Sequence, residues 1–130
     1  MDTEPSQSEK NPIPYGVELI IPRSRIQRVG SYAASGQFLN ELVNDFRKHG
    51  QLFPILLFNQ KNFYTTLPRF ILLDYEEADL VVMCGNNKIE CIDYLKIPEV
   101  KIKIFNKKKE LSLEMERQAM YWRKKRGINP

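Results

Sequence analysis

Between residues 38 and 46 the apolar side chains Phe38, Leu39, Leu42, Val43 and Phe46 return every third or fourth position, the spacing that gathers them on one face of an α-helix. Ser35 is placed to cap that helix. Arg47, Lys48 and His49 fall in its last turn, where cations suit the helix dipole, and Gly50 supplies a left-handed stop. Phe53 to Phe58 is then apolar almost without interruption and is entered through Pro54. The run is too short for a helix and predicts a strand buried on both faces.

The same contrast organises the rest of the chain. Val17 to Ile21, closed by Pro22, predicts the first strand. Phe70 to Leu73 and Leu80 to Met83 flank the acidic stretch Asp74-Tyr-Glu-Glu-Ala-Asp79 and predict a hairpin. Gly85-Asn86-Asn87-Lys88 opens a helix with apolar positions at Ile89, Ile92, Tyr94 and Leu95, stopped before Pro98. Val100 to Phe105 alternates with Lys101 and Lys103, the period of a strand with one wet face. Leu111, Met115, Ala119 and Trp122 form the apolar stripe of a terminal helix. The expected class is α/β (α+β): a small mixed β-sheet flanked by three or more helices, after Ser35, after Gly85 and from about Lys108.

A chain of 130 residues with 42% hydrophobic side chains suffices for one core. Residues 1–14, polar and with three prolines, are expected to be disordered or loosely attached. Residues 15–105 form the core domain and 106–130 a basic C-terminal helix. No stretch reaches the ~20 apolar residues of a membrane span, and the N-terminus lacks the order of a secretory signal, so a soluble cytoplasmic protein with no membrane contact is expected. Cys84, Cys91 and the lone His49 offer no zinc spacing, and the acidic stretch lacks the EF-hand pattern. No metal site and no catalytic residue is assigned.

The net charge of +4 is uneven: residues 101–130 hold ten Lys or Arg against three Glu. This excess suits phosphate backbones or an acidic protein surface as well as a solvated helix face. Arg117, Trp122, Arg123, Lys124, Lys125 and Arg126 are therefore candidates for nucleic-acid or partner binding. A second candidate site is the Gly85 turn. Glycine permits close backbone approach, the first-turn N–H groups of a helix point outward, and Lys88 adds a cation. Gly85, Asn86, Asn87 and Lys88 are candidate phosphate-binding residues, with Arg25 and Arg28 beyond the first strand as braces.

These pieces occur in the order seen in the N-terminal domain of ParB chromosome and plasmid partition proteins, which this chain resembles over about residues 17–130. The leucine-rich helix, His49-Gly50 and Pro54-Ile55 look like that family's helix, "hG" and "PI" strand, and Arg28 looks like the arginine before them. Gly85-Asn86-Asn87-Lys88, Cys91 and Pro98-Glu99-Val100 look like its Gly-Glu-Arg-Arg turn, small helix residue and "P-x-V" strand. Leu111 to Asn129-Pro130 looks like the helix that leads into its DNA-reading domain. The resemblance implies a ParB/sulfiredoxin fold and a part in DNA segregation, with other partition-complex proteins, a second copy or DNA as partners.

ParB proteins bind and hydrolyse CTP at this turn, so CTP or another nucleotide with magnesium is the implied cofactor. Here the turn has one cation where the family has two, and Tyr121-Trp122 stand where the family has an acidic-Asn pair. Asn86 and Asn87 replace the reactive cysteine of sulfiredoxin and the histidines of a related free-serine kinase. An adaptor domain is the leading expectation. The alternative is a nucleotide-binding enzyme, a CTPase or small-molecule kinase, with Asp45 or Asp93 as metal ligand or base.

Overall fold

The computed structural model describes residues 10–30, 36–60, 67–76 and 78–125. Its strands are β1 (Glu18–Pro22), β2 (Ile26–Val29), β3 (Ile55–Asn59), β4 (Arg69–Leu72), β5 (Leu80–Cys84) and β6 (Glu99–Phe105). Its helices are α1 (Gly36–His49), α2 (Asn86–Tyr94) and α3 (Lys108–Lys125). The strands form one mixed sheet in the order β1-β6-β3-β5-β4-β2, with β3 and β6 parallel and the other neighbours antiparallel.

That order forces the sheet to curl. β1 and β2 are its two edges, yet only the single 3₁₀ turn Arg23–Arg25 joins them. Four residue steps reach at most ~14 Å, whereas a flat sheet of this order would hold its edges about 24 Å apart. The turn ties both sides together: Arg23 N–H donates to the Pro98 carbonyl ahead of β6 (2.7 Å), and Leu73 N–H beyond β4 donates to the Arg25 carbonyl (3.0 Å).

Curling gives the sheet an inside and an outside. Inside, Ile55 and Leu57 of β3 and Val100, Ile102 and Ile104 of β6 meet Leu42, Val43 and Phe46 of α1 and Ile89 and Ile92 of α2. Outside, Leu56, Phe58 and Phe105 are covered by Leu111 and Met115 of α3. β3 is thus apolar at consecutive positions because it is buried on both faces. Each such aliphatic side chain removed from water contributes about 1.5–3 kcal/mol. β6 alternates as expected, with Lys101 and Lys103 half-buried on the outer side and Lys103 paired to Glu114 of α3 at 2.7 Å. α1 stops at Gly50, φ +70°, whose N–H donates to the Phe46 carbonyl.

Some expectations need revision. β2 was not anticipated, since only Ile26 of its four residues is buried. The expected loose tail is bound at its end: Ile13 lies in the inner core, and Asn11 bridges to Tyr75. The acidic stretch after β4 also has specific partners. Asp74 holds Arg25, Asp79 pairs with Arg69, and the Glu76 carboxylate accepts from the Ile13 N–H. Ser35 and Glu77 lie outside the described residues. The buried stripe of α3 is Leu111, Met115, Gln118 and Trp122, while Ala119 is exposed. At 3.6 residues per turn, position 118 falls about 20° from Leu111 around the helix and position 119 about 80°.

Candidate functional site

The Gly85 turn sits where β5 meets α2. Gly85 has φ +110°, and a Cβ added there would lie 3.2 Å from Ile55 Cγ1 and 3.3 Å from Ile55 Cα. Both the left-handed backbone and the approach of β3 exclude a side chain. The turn therefore rests on the first residue of β3, directly after Pro54. α2 begins at Asn86, and Lys88 N–H donates to the Gly85 carbonyl at 3.0 Å. The Asn87 Oδ1 is buried, with no hydrogen-bond partner recorded among the described residues.

Lys88 does not face outward beside the turn. It is 6% exposed, and its Nζ donates to Gln118 Oε1 of α3 at 2.9 Å. Gln118 is 2% exposed, and its Nε2 donates to the Pro54 carbonyl at 3.1 Å. The Cys84 thiol approaches the same Oε1 at 3.5 Å. One carboxamide thus joins α2, β3 and α3. The partner of the buried amine is a neutral amide, and burial pushes the amine below its ordinary range, opposed more weakly by the nearby Cys84 and Cys91 thiols.

Cys91 is fully buried on α2, and burial, with Glu90 beside it, raises its thiol to about 11. Cys84 is half-buried. A thiol reagent at pH 8 is expected to modify native Cys84 well before Cys91, which should react only on unfolding. Two equally fast equivalents would mean that the corner between β5 and α2 is open.

The arginines beyond β1 latch onto carboxylates. Arg23 forks to Asp93 on α2 (2.6 and 3.1 Å) and also donates to the Ile26 carbonyl. Arg28 reaches Glu90 at 2.6 Å and Asp93 at 3.2 Å. Arg25 forks to Asp74 (2.6 and 3.0 Å), and this bond holds the Asp74 carboxyl below its ordinary range. Arg23 and Arg28 fasten α2 across the gap between the sheet edges; Arg25 fastens the turn to the end of β4.

The C-terminal candidates divide. Asp45 on α1 is 4% exposed, and one of its oxygens accepts from Tyr121 Oη (3.1 Å) and Lys125 Nζ. Asp45 raises Lys125; burial and then Asp45 raise Tyr121. The Lys125 Nζ lies 5.4 Å from the Trp122 ring centre and 5.9 Å from that of Tyr121, and Tyr121 meets Phe53 edge-on. Trp122 packs against the inner core. Tyr121 and Lys125 therefore secure α3 to α1 and Trp122 faces the core, whereas Arg117, Arg123 and Lys124 are exposed. Arg126 lies outside the described residues.

A nucleotide's phosphates require cations converging on the Gly85 turn. The three cations named for that role are directed elsewhere as placed. Lys88 is turned inward, Arg25 is directed to Asp74, and Arg28 lies among the carboxylates of Glu90 and Asp93, which would repel a phosphate. Asp45 and Asp93, on different helices, are engaged in separate ion pairs. Among the described residues no group of three or more His, Cys, Asp or Glu comes together to hold a metal, and no helix is long and apolar enough to cross a membrane. Sequence reasoning missed Gln118, because a polar residue is invisible to a search for apolar stripes; its angular position beside Leu111 and Trp122 was the available signal. No protein-family model matches this chain, and no curated protein sequence matches it.

Proposed function

We propose that the chain is a ParB-like N-terminal adaptor domain of a DNA segregation protein, which holds partners instead of turning over a substrate. The observation that carries this reading is the contact between its two most informative motifs. The glycine turn from β5 into α2 packs on Ile55, immediately beyond the Pro54 that opens β3. The order of elements around that contact supports kinship, and the inward Lys88 supports a binding role over catalysis. Pull-down and crosslinking with the other purified partition components should recover a stoichiometric complex; none with any component would remove the reading.

The second reading, a nucleotide-binding enzyme of the same fold, draws on the left-handed Gly85 opening a helix N-terminus. To serve it, Lys88 would have to leave Gln118, and Arg28 its two carboxylates. Titration calorimetry with CTP, ATP and ADP in magnesium is expected to give no binding heat. Saturable heat with any of the three would restore the enzyme.

A further inference from the structure

α3 has a second apolar line that the fold leaves uncovered. Leu113 is 61% exposed and Met120 46% exposed. They stand one heptad apart, about 10.5 Å along the axis, on the side opposite the stripe that docks α3 to the sheet. Lys109 and Arg123 lie along one flank of this line, and Arg117 and Lys124 along the other; all four are exposed. Arg117 also reaches Glu114 at 3.3 Å, an i,i+3 pair in which the arginine is exposed and the carboxylate, shared with Lys103, is largely covered. Glu116 lies among the cations of the first flank and Glu110, also exposed, beside Arg117 on the second, so the four cations outnumber two carboxylates. Leu113 further forms a wall of a groove of about 480 Å³ between α3 and the chain entering β1.

We infer that this outward face of α3 docks an acidic amphipathic helix of a partner protein. The inference deepens the adaptor reading and rests on it for the partner's place in the cell. Charge selects the occupant. A second copy of α3 would set Lys109, Arg117, Arg123 and Lys124 against their own kind, an arrangement that disfavours pairing. A nucleic-acid backbone would satisfy the cations but leave Leu113 and Met120 against phosphate and sugar. A helix with apolar residues at heptad spacing, flanked by Glu or Asp, covers the line and neutralises both flanks. Met120 adds an adaptable side chain at one end. With one apolar residue per heptad instead of two, binding is weak and reversible.

The test uses the full chain and a fluorescein-labelled synthetic helix with Leu at heptad spacing and Glu on both flanks, followed by anisotropy. Saturable binding is expected. A scrambled peptide of equal charge should bind at least about tenfold more weakly, a difference of about 1.4 kcal/mol. Leu113→Asp with Met120→Asp, and separately Lys109→Glu with Lys124→Glu, should each weaken binding by at least about tenfold. Unchanged thermal melting would show that these exposed changes leave the fold intact. Ser112→Asp, about a quarter turn away on α3, should stay within about twofold of the native chain.

Equal binding of the scrambled peptide, no binding at all, or tighter binding of duplex DNA with loss on the charge variants alone would each overturn the inference. Self-association by sedimentation equilibrium that disappears in Leu113→Asp with Met120→Asp would also overturn it. Because the peptide comes from no partition protein, its binding can succeed where the pull-down fails, and the two readings fail separately.

Discussion

Replacing Gly85 by valine is expected to cost about 2–6 kcal/mol, a large part of the ~5–15 kcal/mol that holds a domain folded. Two penalties add. At φ +110° a β-branched residue is strained by about 1–3 kcal/mol. Its Cβ also enters the space of Ile55, whose Cα would lie at 3.3 Å, and such overpacking costs about 1–3 kcal/mol. The Ile55 backbone belongs to a central strand between β5 and β6, so it has little room to retreat. Gly85→Ala should fall between valine and the native chain. Urea unfolding followed by circular dichroism reads both. An unchanged midpoint for Gly85→Val would show that the turn does not rest on β3, and the adaptor reading would lose its principal support.

Gln118→Leu is the second large effect, about 2–4 kcal/mol. It strips the buried Lys88 amine of its acceptor and the Pro54 carbonyl of its side-chain donor, and each buried polar group left unpaired costs about 1–3 kcal/mol. Lys88→Met alone should have the smaller effect, within about 1 kcal/mol of the native chain, because relief of an amine whose burial disfavours its charge offsets the donor lost to Gln118 Oε1, which keeps the Cys84 thiol. In the double variant most of the Gln118→Leu loss should return, with a coupling of at least about 1 kcal/mol. Strict additivity would mean that the two side chains do not meet.

The same amine gives a pH signature. Its native pKa is lowered from 10.5 by burial, so the unfolded chain binds the proton more tightly, and Lys88 makes stability rise with pH between its lowered native value and 10.5. Cys91, raised from 9.0 to about 11, works oppositely: its contribution is complete below pH 9 and is lost as pH climbs towards 11. Comparing the native chain with Lys88→Met at each pH isolates the lysine. The native chain should gain relative to the variant as pH rises.

Elements whose burial follows their residue type were readable from the sequence. α1 announced itself through Leu42, Val43 and Phe46, and Gly50 marked its end. β3 was legible because both of its faces are covered and a polar residue would be misplaced on either. β6 was legible through Lys101 and Lys103. β2 was hidden because a strand at the sheet edge, exposed at Gln27, has little need of apolar residues.

The candidate site was harder to read, since its key groups are polar residues in apolar surroundings. Nothing local marks Lys88 as inward or Gln118 as its partner; that pairing exists only once α3 has folded over the outer face. Nor does local sequence show that Arg23 and Arg28 close on Asp93, because the match depends on the curl of the sheet. The basic terminus was recognised as charge, but its division into Lys125 bound to Asp45 and Arg123 and Lys124 facing outward is set by the angle at which α3 docks.

The register of the first strand governs how the protein can be made. Glu18 pairs with Lys103 and Ile21 with Val100, so β1 leaves the ribosome long before β6, its neighbour in the sheet, exists. β3 likewise awaits β6 for its parallel partner. Such distant pairing raises contact order and slows folding. A nascent chain halted before β6 would display β1 without its sheet partner and β3 paired to β5 on one edge alone, so the sheet stays open until residues 99–105 have been made.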